Sequence, residues 1–255
     1  MISVIIPTYK SPDALDLCLK SAISGQNNKN QLIVIVDGFY DLNKDVLEKY
    51  ADSIEILNLE KNVGLCKGMN LGVYNSSNDL ILHVNDDNVF QKDWDIILEK
   101  DYKPNSVISP NQIEPFPSIF TQFNIHDLGR NPKTFDLNSF WDYTKSINRN
   151  FIEETGSTPP ILMSKMDYLK IGGWDENYEL GVVADWEFFL KCKLAKMKML
   201  RTYNCHFYHF VSITTNNSEE SKLKRQNIEK NGFEYFKYKW GSYPKHDPIT
   251  NSKSL

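Results

Sequence analysis

The run Asn85-Asp86-Asp87-Asn88 follows directly on the apolar stretch Leu80-Ile81-Leu82-His83-Val84. Adjacent carboxylates repel, so a pair of them ending a buried strand is unfavourable unless a cation or solvent screens them. Mg²⁺ and Mn²⁺ take hard oxygen ligands and bridge the oxygens of a diphosphate. The same residues also suit a solvated turn, because Asn and Asp favour turns, and the run alone leaves both readings open. Pro7-Thr8-Tyr9 and Asp37-Gly38 end apolar runs in the same way. Further on, Asp185 opens an apolar stretch with helical spacing. A carboxylate there is held ionised by the helix dipole and is able to take a proton; simple helix capping is the plainer reading.

The elements that must position these residues alternate along the first hundred positions. Ser3 to Pro7 and Gln31 to Val36 are continuous apolar runs, as expected of strands buried on both faces. Ser11-Pro12 reads as a helix start, with Leu15, Cys18, Leu19, Ala22 and Ile23 at helical spacing. Val46, Leu47 and Tyr50 suggest a short helix, Ile54 to Leu59 a strand, 62–75 a helix and Asp79 to Val84 a fourth strand. Such alternation predicts an α/β fold with a mostly parallel central sheet and helices on both faces. Ligands bind such sheets beyond the carboxyl ends of the strands, where the three polar clusters converge.

The segment 105–160, rich in Asn, Pro, Phe and Ser, has weak periodicity and reads as long functional loops. A helix is expected from about Ser164 to Ile171, then the turn Gly172-Gly173-Trp174, then a helix from Asp185 to Leu194 with Trp186, Phe189 and Leu190 on its core face. Residues 199–213 read as one or two strands. The tail from 216 reads as helical over 222–238, with its last ten or so residues disordered.

With 29 basic and 33 acidic residues, the formal charge is −4, which argues against a nucleic-acid footprint. The four cysteines form no CxxC pair and read as reduced core residues, pointing to a reducing compartment and a cytoplasmic location. No apolar stretch is long enough to predict a membrane span.

Taken in order, SVIIPTYKSPDALDLCLKSAISGQ, LIVIVDG, NVGLCKGMNLGV, DLILHVNDDN, IGGWDENYELGVVADWEFFLKC and the looser HFYHFVSIT resemble the family-2 glycosyltransferases of the GT-A fold. The likeness implies a GT-A domain over 1–215, with a nucleotide-sugar half over 1–104 and an acceptor half over 105–215, followed by a helical tail over 216–255. It implies roles as well. Pro7, Thr8 and Tyr9 match the loop at the nucleotide base and ribose, and Asp37 the acid that reads the base, although relatives often carry a second acid where Val36 stands. Asn62 and Gly64 match a turn lying against the nucleotide, with Lys67 and Asn70 on the following helix facing the same region.

Asp87 matches a ligand of Mn²⁺ or Mg²⁺, and Asp86 a partner of ribose or metal-bound water. Asn85 stands where many relatives have another aspartate. His209 matches a histidine that completes metal or diphosphate binding, with His206 a weaker claimant. Asp185 matches the catalytic base, with Ala184 replacing the first acid of the usual pair and Glu187 as fallback. Trp174 reads equally as a stacking platform for a sugar and as a core residue. The resemblance further implies an inverting displacement, a nucleotide-sugar donor (commonly a UDP-sugar), and a glycan, lipid-linked or protein-linked acceptor. A nucleotidyltransferase would need a basic glycine-rich loop after the first strand, and a dinucleotide enzyme GxGxxG; PTYKSP is neither. A non-catalytic nucleotide-sugar or glycan-binding module remains the alternative.

Overall fold

The computed structural model describes residues 1–116, 124–156, 158–210, 219–246 and 253–254. In chain order the elements are β1 (Ile2–Thr8), α1 (Pro12–Gly25), β2 (Gln31–Asp37), α2 (Tyr40–Lys49), β3 (Glu55–Leu59), α3 (Leu65–Asn75), β4 (Leu80–His83), β5 (Asn88–Phe90) and α4 (Trp94–Asp101). They continue with β6 (Ser106–Glu114), β7 (Asn124–Ile125), α5 (Leu137–Ile147), β8 (Ile152–Glu154), β9 (Ile161–Ser164), α6 (Lys165–Lys170), α7 (Ala184–Leu194), β10 (Lys198–His209) and α8 (Glu219–Trp240). One sheet runs β3-β2-β1-β4-β9-β6-β10-β5, with β7 added to β6 and β8 to β10.

β3, β2, β1 and β4 are parallel, as the alternating pattern predicts. Beyond β4 the sheet turns mixed: β9 is antiparallel to β4 and β6, β10 is parallel to β6, and β5 is antiparallel to β10. Side chains of a buried strand alternate between two cores. Val4, Ile6, Val34 and Val36 join Leu15, Leu19 and Leu98 on one face of the sheet. Ile5, Ile33 and Ile35 join Met69, Val73, Phe188 and Phe236 on the other. Glycine inside α3 has a packing cause. A Cβ on Gly72 would overlap the Ile5 side chain and sit 3.0 Å from Ile35 Cδ1, so the helix lies on the sheet at a distance that no larger residue permits.

Several expectations change. The segment 105–160 contains β6, whose nine residues are all buried, and α5, whose N-cap Asp136 accepts from the amides of Asn138 and Ser139. Ser11 precedes α1 without capping it through its side chain. The core face of α7 is wider than expected, with Ala184, Glu187, Phe188 and Cys192 buried beside Phe189 and Leu190 while Trp186 is only half-buried. All four cysteines are free and buried. Among the described residues no helix is long and apolar enough to cross a membrane. The expectations for 211–213, for the start of the tail and for most of its last ten residues lie outside the described residues.

Candidate active site

The rim at the carboxyl ends of β1, β2 and β4 gathers the expected residues. Thr8 is buried, and its hydroxyl donates to Asp86 Oδ2 at 2.7 Å, joining the ends of β1 and β4. Tyr9 and Phe39 meet edge to face at 5.1 Å, and the Lys10 ammonium lies 4.0 Å from the Phe39 ring centroid. Pro7 is half-buried just below them. Asp37 is 7% exposed and ties down the neighbouring loop: it accepts from the Val63 amide at 2.6 Å and the Gly64 amide at 3.0 Å. Asn62 bends over the same loop, its side chain accepting from Gly64 N at 2.9 Å. Gly64 adopts φ 88°, a conformation that strains an L side chain, and leads into α3. Lys67 is exposed one turn along.

The carboxylates of Asp86 and Asp87 differ in surroundings. Burial pushes the Asp86 carboxyl up to about 7, and the charge on Asp87 adds to the rise. Burial acts the same way on Asp87, but the charge and hydrogen bond of His209, with the Asn88 side chain and a backbone amide, together hold the group below its ordinary value. His209 Nε2 is 3.5 Å from Asp87 Oδ2, and its Nδ1 is 3.1 Å from Glu114 Oε1. Burial alone would lower the His209 pKa; Asp87 and Glu114 instead raise it to about 9. Pairing brings these groups together: His209 on β10 lies opposite Asn88 on β5, the Phe210 amide donates to the Asp87 carbonyl at 3.1 Å, and parallel pairing with β6 sets Tyr208 beside Ile113, one residue before Glu114. Asn85 is half-buried, and its carbonyl accepts from Asn88 N at 3.2 Å.

Glu114 was not among the expected residues. It is the last residue of β6, and only the β6–β10 pairing brings it to His209; an acid inside an irregular-looking segment gives no local signal. Phe39 and Lys10 were also missed, although both adjoin expected positions.

The surroundings of four other residues weigh against a direct role for them. Asn70 spends its amide on the protein: it donates to Trp174 O and Glu176 Oε1, both at 2.9 Å, and accepts from Trp174 N and Tyr168 Oη. Both donors and both lone pairs are used, so it anchors the 173–176 turn. Trp174 is 4% exposed, stacks on Phe188 at 4.3 Å and donates its indole N–H to His83; it belongs to the core, not to a sugar platform. Glu187 is fully buried and pairs with Lys239 at 2.6 Å, which removes it as a fallback base. His206 is buried too, against the Asn111 amide at 3.2 Å.

Asp185 is half-buried in the first turn of α7, past the N-cap position that Val183 occupies. The coil ahead of it reaches the donor side: Leu180 Cα lies 3.7 Å from where a Cβ on Gly64 would stand. For a divalent ion the chain offers the Asp87 carboxylate and the His209 imidazole. Among the described residues no three His, Cys, Asp or Glu side chains are arranged to hold a metal by themselves. One carboxylate and one imidazole would leave an ion's remaining ligands to phosphate and water; the carboxylate suits Mg²⁺ or Mn²⁺, the imidazole less so.

A family model described as "Glycosyl transferase family 2" matches residues 3–154. Among curated relatives, the chain is 27% identical over 145 residues to a "Cholesterol galactosyltransferase" of Borreliella burgdorferi, covering 56% of this chain and 38% of that one. It is 26% identical over 200 residues to an "Uncharacterized glycosyltransferase" of Haemophilus influenzae, covering 75% and 61%. Over 192 residues it is 28% identical to a "UDP-Gal:alpha-D-GlcNAc-diphosphoundecaprenol beta-1,3-galactosyltransferase" of Escherichia coli, covering 72% and 66%. The chain thus spans 38% and 61% of the length of the first two relatives, less than two thirds of each. In fold it is similar to S. aureus TarS 1-349, with a TM-score of 0.62 at 15% identity, covering 94% of this chain and 73% of that one; TarS has also been crystallised in complex with UDP. The sheet that sets Asp37, Asp86 and Asp87 on one rim is thus a GT-A sheet, and with the family match running from β1 through β8 this chain belongs to glycosyl transferase family 2.

Proposed function

We propose that the chain transfers a sugar from a UDP-sugar to an acceptor hydroxyl, with inversion at the anomeric carbon and with Mn²⁺ or Mg²⁺ as cofactor. The observation carrying this reading is the rim itself, where Thr8 holds Asp86 and His209 stands between Asp87 and Glu114. Tyr9 and Phe39 offer ring edges and faces to a base, beside Asp37, which keeps lone pairs beyond the two amides it accepts from. The loop 62–64, held by Asp37, brings backbone close to the nucleotide.

Asp87 and His209 would hold the divalent ion, with Asp86 and Asn85 alongside. When bound, the ion neutralises charge that grows on the diphosphate leaving group. Asp185 takes the acceptor proton as its oxygen bonds to the anomeric carbon and the bond to the diphosphate breaks. The proposed base lies in the first turn of α7. UDP as the nucleotide is supported by the names of the E. coli relative and of the TarS complex. Two relatives named for sterol and diphosphoundecaprenol acceptors favour a lipid-linked acceptor.

The test is release of UDP from UDP-galactose, UDP-glucose and UDP-N-acetylglucosamine with Mn²⁺, with and without diphosphoundecaprenyl-linked sugars. Release stimulated by an acceptor supports transfer. Nucleotide binding with no turnover on any donor would leave a binding module instead.

A further inference from the structure

Between the donor loop and the base lies a coil of unusual conformation. Leu180, Gly181 and Val183 have φ of 53°, 78° and 73°. Val183 is β-branched, 5% exposed, and occupies the position just before α7. A β-branched residue in the left-handed region is strained and persists only when its surroundings enforce it. One side of the coil is held by α3: a Cβ on Gly181 would come within 2.9 Å of Leu65 Cβ. The other side is held by α8. Ile228, Gly232 and Phe236 recur every fourth residue on that helix, so they form one face, and all three are buried. At Gly232 a Cβ would stand 3.0 Å from Val183 Cγ2 and 3.1 Å from Val182 O. The absence of a side chain there lets the helix press directly on the strained residue.

A second contact fixes the same helix. Lys239 reaches Glu187 in α7 at 2.6 Å and Asp175 at 2.7 Å, and Tyr235 donates to Asp175 Oδ2 at 3.0 Å. Glu187 and Asp175 flank the coil on either side in sequence. Two independent grips, one steric and one ionic, therefore bear on the segment that carries Asp185, from a helix outside the stretch matched by the family model.

We propose that α8 is a positioning element for sugar transfer: Gly232 and Lys239 clamp the 180–183 coil against the donor loop and thereby aim the first turn of α7. Neither residue touches the reacting atoms. This inference rests on Asp185 as the base for its effect on turnover, but not for its effect on the coil.

The full chain carrying Gly232→Ala tests it, alone and with Val183→Ala, which removes the nearest contact, Val183 Cγ2, and leaves those with Val182 O and Val183 Cβ. Amide hydrogen exchange reads the clamp without any assumption about chemistry. Peptides over 180–187 should exchange at least tenfold faster in Gly232→Ala and move back part of the way towards the parent in the double variant, while peptides over β1 and β4 stay unchanged. UDP release from UDP-galactose with Mn²⁺ should lose at least tenfold in kcat with KM within twofold, and recover part of the way with Val183→Ala. Lys239→Met should show the same split, and Lys239→Arg should restore it, which keeps the test open if Gly232→Ala does not fold. Unchanged exchange over 180–187, or equal loss in kcat and nucleotide affinity without recovery, overturns the proposal. If Asp185→Asn keeps full turnover while the exchange result holds, the base assignment falls and the clamp stands.

Discussion

The two halves of the molecule position their functional groups by different means. From β1 to β4 each residue of interest sits at the end of a parallel strand or in the turn after it, so Thr8, Asp37, Asp86 and Asp87 reach the rim through sheet register. Apolar residues on both faces then make that register hard to shift. From β6 onward the sheet is mixed, and the functional groups depend on long-range partners. His209 needs β10 paired with β5 and β6; Asp185 needs a strained coil pressed between α3 and α8. Under the proposed function, sheet register sets the donor residues, and distant contacts set Asp185.

The largest effect that separates the halves is expected at the base. Asp185→Asn should lower transfer by about a thousandfold, roughly 4 kcal/mol of barrier, while UDP affinity measured calorimetrically with Mn²⁺ stays within about twofold of the parent. A parallel loss of UDP binding would mean that the base side also builds the donor pocket. Gly72→Ala probes the donor half by contrast. Its Cβ has no space against Ile5 and Ile35, so the overpacked helix should cost about 2 kcal/mol in urea unfolding. Turnover of the molecules that remain folded should change little, the opposite of Gly232→Ala.

The smallest effect concerns acid. Burial works against the Asp175 carboxylate, but Lys239 and the amide and side chain of Asn177 bring its pKa down to about 2. A carboxyl titrating below its unfolded value adds stability that is complete above about pH 4. That stability is lost as the pH falls through about 2. With Lys239 partly in water, the amount is about 1 to 2 kcal/mol. Urea midpoints at pH 5 and pH 2 should differ less in Lys239→Met than in the parent.

The same division marks what the sequence makes legible. The donor half is readable because parallel strands buried on both faces are written as apolar runs, and each run stops at a polar cluster. β6 is not written so. Its SVISPNQIE carries Pro110, Asn111 and Gln112 in the buried interior, acceptable only because Ser109, Asn111 and Gln112 find partners in Thr158, His206 and Pro159. No window of local sequence contains those partners, so Glu114 at the end of the strand went unread with it. α5 is different: Asp136 followed by Leu137, Phe140 and Thr144 is a cap and a buried stripe, a signal masked by the polar residues around it. Trp174 was ambiguous because an aromatic after two glycines serves a rim or a core equally well. Its stack on Phe188 decides for the core.

Calorimetric titration of UDP into the parent chain and into Asp87→Ala, each with and without Mn²⁺, bears most directly on the central assignment. The parent should bind UDP at least tenfold more tightly with Mn²⁺, and more tightly at pH 8 than at pH 6, because burial and the Asp87 charge push the Asp86 carboxyl up to about 7, and its ionised form favours a cation beside it. In Asp87→Ala the Mn²⁺ enhancement should vanish. UDP affinity that ignores Mn²⁺ in the parent, or an enhancement that survives Asp87→Ala intact, would contradict the assignment of the β4-end carboxylates and His209 as a cation-assisted diphosphate site.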